Sequence, residues 1–188
     1  REVAHVVHLA RPRNRSSAVL VLLSPAPFGP LALFSPEWVT EGYATIVEGA
    51  LTGSGRPGST FRAMVLRQLA IEGKLPDYGD LDGTPDWLGG SIPYLVGSAY
   101  LEWASDRGGK DVLPKLWKRM ASSRGGGFPA AFRGIFGDSP KTLYDRFRAE
   151  LTARALTEEK RLKEAGLVEG ELWQRLSGST LAVQVSPD

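Results

Sequence analysis

Apolar residues recur at helical spacing along most of the chain. The valine and leucine residues of segment 1–10 follow a period of three to four, which predicts a first helix. Pro12 ends that helix, because proline disfavours helical backbone in the residue before it. A second helix is predicted from SPEW to about Gly53, since Ser35 suits the N-cap and Pro36 the first helical position. The beginning of the chain is therefore predicted to be helical.

The helical pattern continues beyond the second helix. A third helix is predicted to begin after Ser59 as its N-cap, with an apolar stripe formed by Phe61, Met64, Val65 and Leu69. After a loop rich in Asp, Gly and Pro, helical periodicity returns in residues 92–106, 112–122 and 128–136. Ser139 and Pro140 then start a long helix that ends near Ala165. Each apolar stripe is the face by which such a helix packs on a core.

Only the end of the chain changes its period. The stretch LWQRLSGSTLAVQVS alternates apolar and polar residues around a Ser-Gly turn, which predicts a β-hairpin. The predicted fold class is therefore mainly α with a C-terminal β-hairpin. Residues 1–165 form the predicted helical domain, and residues 166–188 form the start of a β segment.

Composition is that of a globular domain. A chain of 188 residues with 42% hydrophobic residues is long and apolar enough for one core. No apolar run reaches the roughly 20 residues of a membrane span. The chain has no cysteine, which excludes disulfides and thiolate metal sites but does not choose between a reducing and an oxidising compartment.

Charge gives little support to nucleic-acid binding. The 23 Lys and Arg residues are nearly balanced by 21 Asp and Glu residues. Arg11, Arg13 and Arg15 form one basic loop, which is the motive for considering a nucleic-acid binder. Because the net charge is small and no aromatic residues are interleaved with these arginines, we predict a solvated loop and no nucleic-acid partner.

Candidate metal chemistry lies in the first predicted helix, which begins REVAHVVH. Glu2 and His5 match the last positions of H-E-x-x-H, in which two histidines one turn apart bind zinc and the glutamate is the base. Arg1 stands at the first histidine position, and an arginine has no lone pair to donate to a cation. His8 lies one turn beyond His5 on the same face. Because Glu-x-x-His also arises by chance, a histidine packed in the core is the alternative.

The second predicted helix supplies two further carboxylates in WVTEGYATIVEG. Glu41 and Glu48 are two turns apart and lie on one side of the helix. A catalytic zinc takes three protein ligands, and in the His-His-Glu set the third ligand comes from a second helix. The alternative is an amphipathic helix whose carboxylates face water. The pattern Trp-x-x-Glu-Gly with a later Glu resembles this helix in the gluzincin metallopeptidases, particularly their aminopeptidase-type branch.

A third motif agrees with this resemblance. The stretch SIPYLVGSAYLEW contains Pro-Tyr-x-x-Gly, which is similar to the segment where aminopeptidase-type gluzincins keep a tyrosine that donates to the oxyanion. Tyr94 is at the matching position, and losing such a donor costs on the order of 3 kcal/mol in the barrier. A tyrosine that packs at a helix start is the alternative. The three motifs occur in the order that the family has.

The resemblance implies a zinc-dependent peptidase that hydrolyses peptides or proteins with a metal-activated water. His5 and Glu41 would then be zinc ligands, and zinc would be the cofactor. Glu2 would take the proton of the water, and Tyr94 would donate to the oxyanion. Glu48 would hold a ligand in its orientation.

The same resemblance places the predicted helices in a larger fold. They would form the helical subdomain of a gluzincin, and the β-rich portion that precedes the motif helix would be missing from this segment. The closing LAVQVSPD is similar to the first strand of a TolB-type β-propeller, which often follows such domains. This association implies an extracytoplasmic location, either periplasmic or secreted. It gives no expectation for the oligomeric state.

Arg1 departs from the family pattern and puts hydrolysis in doubt. With two protein ligands in place of three, zinc affinity is expected to drop steeply. The guanidinium would instead pair with Glu41 or Glu2. Three explanations stay open: Arg1 is an artefact of a truncated end, His8 replaces the lost histidine, or the domain is an inactive pseudopeptidase that binds or scaffolds.

Overall fold

The computed structural model describes residues 35–85, 88–109, 111–122, 127–168 and 170–171. These residues are mainly helical and contain no strand, which confirms the mainly α class at this level. The helices are α1 (Glu37–Thr52), α2 (Thr60–Ile71), a π-helix (Pro93–Gly97), α3 (Ser98–Gly108), α4 (Val112–Met120), α5 (Gly127–Phe136) and α6 (Pro140–Glu164), with two short 3-10 helices at Tyr78–Asp80 and Gly89–Ser91. None of them is both long and apolar enough to cross a membrane. The predicted hairpin and the predicted helix over residues 1–10 lie outside the described residues.

A serine followed by proline was predicted to cap two helices, and only one of these two predictions is confirmed. At the start of α6, Ser139 is the N-cap and its hydroxyl accepts a hydrogen bond of 3.1 Å from the backbone N–H of Thr142, as predicted. At the start of α1, the prediction that Ser35 is the N-cap is wrong, because Pro36 occupies that position. The backbone N–H of Trp38, in the first turn of α1, is instead satisfied by a distant loop. Asp82 accepts that bond.

The hydrogen bond that caps α1 comes from a distant part of the chain and has an ordinary length. The backbone N–H of Trp38 donates to Asp82 Oδ1 at 2.8 Å, across a sequence separation of 44 residues. A carboxylate is well suited to this place, since the first N–H groups of a helix have no partner within the helix and carry partial positive charge. At the other end, α1 closes on Gly53 in the left-handed conformation, with φ of 64°.

Helix α2 packs by a different face from the one predicted. The apolar stripe predicted for this helix includes Phe61 and Met64, which are 53% and 50% exposed. The buried side consists of Arg62, Leu66 and Ala70. The prediction is wrong because an arginine lies at the centre of the packed face, and pattern arguments assign charged residues to solvent.

Aromatic rings fill the centre of the helical core. Trp38 is 2% exposed, and its ring centroid lies 5.2 Å from that of Tyr100 and 5.8 Å from that of Phe128. The buried hydroxyls of Tyr100 and Tyr144 donate to backbone carbonyl oxygens at 2.7 Å. Burial raises the pKa of both phenols, so they stay protonated and keep these bonds. Both tyrosine side chains are therefore part of the packing and the hydrogen bonding of the core.

Trp103, Arg107 and Glu150 form a polar cluster where α3 meets α6. The indole N–H of Trp103 donates to Glu150 Oε2 at 3.0 Å, and Arg107 Nη2 donates to both carboxylate oxygens at 2.8 and 2.6 Å. The Arg107 guanidinium also lies 3.9 Å from the centroid of the Trp103 ring. The Trp103 hydrogen bond, followed by the bonds and charge of Arg107, lowers the pKa of Glu150.

We expect Glu150→Gln to destabilise the protein near neutral pH and to have a smaller effect in acid. A carboxyl whose pKa is lowered by folding stabilises the fold above its unfolded pKa of about 4.3, and this contribution is lost as the pH falls through the lower folded pKa. Melting temperatures of both proteins from about pH 3 to about pH 7 measure the difference. Glu164→Gln on the last turn of α6 is the control. A difference that stays constant over this range would contradict the prediction.

Candidate functional site

The two motifs in the described part of the chain pack against each other at their glycines. A Cβ atom placed on Gly42 would lie 3.0 Å from the carbonyl carbon of Gly97 and from the backbone nitrogen of Ser98. A Cβ atom on Gly97 would lie 2.9 Å from the carbonyl oxygen of Trp38. Backbone atoms cannot yield as a flexible side chain can, so α1 and the π-helix approach this closely only because both positions are glycine.

This contact brings the elements that carry two predicted site residues together. Glu41 precedes Gly42 in α1, and Tyr94 lies in the π-helix three residues before Gly97. The spacing Trp-x-x-Glu-Gly and the spacing Pro-Tyr-x-x-Gly therefore each place a functional candidate close to the same crossing point. π-Helical turns are rare and occur frequently at functional sites.

The side of α1 that carries the two carboxylates is covered. Glu41 and Glu48 are both half-buried, and Ala44 and Thr45 between them are fully buried. Ala44 belongs to neither of the two apolar clusters that the described residues form. Both glutamates are therefore partly covered, and their role as site residues stays a prediction.

Tyr94 is half-buried and is contacted both at its ring and at its backbone carbonyl oxygen. Its ring is stacked by the guanidinium of Arg56, whose Cζ atom lies 4.7 Å from the ring centroid. Its carbonyl oxygen accepts a hydrogen bond of 2.5 Å from the hydroxyl of Ser98. The Ser98 bond involves the backbone of Tyr94, whereas the Arg56 contact involves its ring.

The loop after α1 lies beside both Glu48 and Tyr94. It contains Gly53 and Gly55 at φ of 64° and 103°, which are backbone conformations that favour glycine. Glu48 lies close to Gly55, since a Cβ atom placed on Gly55 would lie 3.8 Å from the Cγ atom of Glu48. The next residue of the loop is Arg56, on the Tyr94 ring. One short loop thus borders the second carboxylate of α1 and the candidate phenol.

Only part of the predicted set of zinc ligands lies in the described residues. Glu41 is the predicted ligand that the structure describes, whereas His5 and the alternative ligand His8 lie outside. Glu2 and Arg1 lie outside as well. Within the described ranges no group of three His, Cys, Asp or Glu side chains is arranged to hold a metal ion. Zinc ligation by Glu41 together with His5 therefore stays a prediction.

Some residues around the candidate site were not found from the sequence. Arg56, Arg62 and Asp82 gave no motif, because each acts across a large sequence separation. Ser98 and Glu102 are one turn apart in SAYLE, a spacing that places both side chains on one face of α3. That spacing was the available signal, but nothing in the sequence indicates the arginine with which both residues pair.

The sequence has no match among protein-family models, among curated proteins or among solved structures. Function therefore has to be inferred from the side chains of this chain.

Proposed function

We propose that this chain is the helical part of a gluzincin-like zinc peptidase, in which His5 and Glu41 hold zinc and Tyr94 faces the substrate. The observation that carries the proposal is the contact between Gly42 and Gly97. It joins the helix of the candidate ligand to the turn of the candidate oxyanion donor, and the proposed reaction needs these two side chains in one site.

The covered face of α1 supports the same proposal. A catalytic zinc takes three protein ligands and keeps a fourth position open for water or substrate, so in the proposed site a second helix has to lie close to Glu41. Glu41 and Glu48 are half-buried around Ala44, which is fully buried. In the proposal, the segment that contains His5 packs on this side of α1.

Each residue has a stated task in the proposed reaction. Zinc, when bound, polarises the substrate carbonyl and makes hydroxide available near neutral pH. Glu2 takes the proton of the attacking water and delivers it to the leaving amine. Tyr94 donates a hydrogen bond to the oxygen where negative charge develops, and Glu48 orients Glu41 or His5 through a polar contact. Peptides or proteins are the substrates.

A catalytically inactive pseudopeptidase is the second candidate. It is favoured by Arg1, which stands at the position of the first zinc ligand and carries a permanent positive charge. In this version the packing of α1 against the π-helix is kept, while the metal is lost and the domain binds or scaffolds a partner. It predicts no hydrolysis of peptides after the histidine is restored.

Metal analysis tests the zinc proposal directly. We expect well below one zinc per chain in the unmodified protein and a value close to one in Arg1→His. In that background, Glu41→Gln should weaken zinc binding by more than about 100-fold, because a direct ligand matters more than the residues that orient it. Glu37→Gln is the matched control, since Glu37 is an exposed carboxylate on the same helix.

Three outcomes decide between the candidates. Full zinc occupancy in the unmodified protein would refute the view that Arg1 damages the site. Unchanged zinc affinity in Glu41→Gln would show that Glu41 is not a ligand and would overturn the proposed site. Zinc binding without hydrolysis of a casein substrate by Arg1→His would favour the pseudopeptidase.

A further inference from the structure

A buried arginine of α2 contacts the turn that carries Tyr94. Arg62 is 8% exposed, and its Nη1 atom donates to the hydroxyl oxygen of Ser98 at 2.9 Å. Its Nη2 atom pairs with the carboxylate of Glu102. The Ser98 hydroxyl donates in turn to the carbonyl oxygen of Tyr94 at 2.5 Å. Three side chains thus form a continuous polar path that ends on the backbone of Tyr94.

The path ends at an unusual piece of backbone. Tyr94 is in the π-helix, whose turn is wider than that of an α-helix and is seldom stable by itself. A serine hydroxyl that bonds to the carbonyl four residues earlier also tends to bend a helix. Ser98 is fully buried, so its hydrogen bonds are shielded from water. These bonds hold the carbonyl of Tyr94 in one direction while Arg56 stacks on its ring.

Stability alone does not explain this ion pair, in which Arg62 is buried and the Glu102 side chain is 30% exposed. Taking a guanidinium out of water is costly, and an apolar side chain of similar volume in its place is often at least as stable. The neighbours of Arg62 on the packed face of α2, Leu66 and Ala70, are apolar and would suit such a side chain. What the charged pair adds is direction, because a guanidinium donates in a fixed plane to two partners.

We propose that Arg62, Ser98 and Glu102 form a positioning network that fixes the direction of the Tyr94 side chain. The catalytic meaning of this network rests on the proposed function, in which Tyr94 donates to the developing oxyanion. Such a donor has to lie within about 2.7–3.1 Å of its target, and a displacement of about 1 Å can cost on the order of 100-fold in rate. The three residues touch neither substrate nor metal and act through Tyr94.

Fluorine NMR tests the positioning without any need for activity. The chain contains 5 tyrosines, which can all be replaced by fluorotyrosine, and Tyr94→Phe identifies the resonance of Tyr94. We expect Ser98→Ala to shift or broaden this resonance and to leave the other tyrosine resonances in place. The double variant Arg62→Met with Glu102→Met should do the same, and it should melt close to the temperature of the unmodified protein.

Arg67→Met is the matched control, since Arg67 is a half-buried arginine of α2 that is not part of the network. If the Tyr94 resonance is unchanged in folded Ser98→Ala, the network does not position Tyr94 and the proposal is overturned. Should the double variant fail to fold, Ser98→Ala carries the test, since it removes a single oxygen atom. An equal shift of the Tyr94 resonance in Arg67→Met would overturn the proposal as well.

Kinetics in the zinc-loaded Arg1→His background test the catalytic meaning. Ser98→Ala should lower kcat by about 10- to 100-fold with little change in KM, because it disturbs a group that acts in the transition state. If Arg1→His hydrolyses peptides and Ser98→Ala leaves kcat unchanged, the catalytic part of the proposal is overturned. If no variant hydrolyses peptides while the fluorine resonance still moves, the proposed function fails and the positioning of Tyr94 stands.

Discussion

Replacing Trp38 with alanine is expected to lower the free energy of unfolding by about 3–5 kcal/mol. Trp38 is 2% exposed and its ring contacts aromatic residues from three other parts of the chain, Tyr78, Tyr100 and Phe128. Removing the indole leaves a cavity at the centre of the core that these rings cannot fill without moving. Since domains of this kind are stable by only about 5–15 kcal/mol, the loss is a large part of the total.

Urea denaturation followed by circular dichroism measures this loss. Leu51→Ala is the control, because Leu51 lies on the same helix and is 75% exposed. It should change the free energy of unfolding by no more than about 0.5 kcal/mol. Equal effects of the two substitutions would contradict the described core around α1.

Replacing Gly97 with valine is expected to cost about 3 kcal/mol of stability, at the upper end of what overpacking usually costs. The first carbon of the new side chain would lie 2.9 Å from the carbonyl oxygen of Trp38 and 3.0 Å from its Cβ atom. The carbonyl oxygen is a backbone atom and Cβ is attached directly to the backbone, so neither can move without it. The two segments, α1 and the π-helix, would therefore have to separate. The separation would also move Tyr94 relative to Glu41.

Gly58→Val is the matched control for this substitution. Apart from Gly58 itself and its two chain neighbours, no residue lies within 4 Å of a Cβ placed on Gly58, and its φ is not in the left-handed region. Denaturation midpoints of the two variants should therefore differ clearly, with Gly58→Val close to the unmodified protein. A loss of stability in Gly58→Val as large as in Gly97→Val would argue against a specific close contact between the two helical segments.

Local signals predicted the helices well wherever the decisive contacts are local. The hydroxyl of Ser139 caps α6 as predicted, since its partner Thr142 is three residues away. The same reasoning failed at α1, where the cap comes from Asp82, and at α2, where Arg62 is buried. In both cases a contact between a charged residue and a distant part of the chain changes the outcome, and periodicity holds no information about such contacts. The π-helix before α3 was predicted as ordinary helix.

The candidate site was predictable to the level of segments. The motifs Trp-x-x-Glu-Gly and Pro-Tyr-x-x-Gly singled out two segments, and the structure brings Gly42 and Gly97 of these segments into contact. The sequence gives no clue that Tyr94 is held by Ser98 and stacked by Arg56. Those contacts depend on how three separate elements meet. The zinc ligation that joins Glu41 to His5 stays a prediction.

The hydrogen bond from Trp38 to Asp82 also bears on the order in which the protein folds. Short helices are marginal in isolation, and the first turn of α1 acquires this partner only after the chain has closed a loop of 44 residues. Closure of such a loop is slow compared with the growth of a helix, because its entropy is lost before the contact forms. We therefore expect the turn that precedes Glu41 to be completed late, when the loop that contains Asp82 reaches its final position.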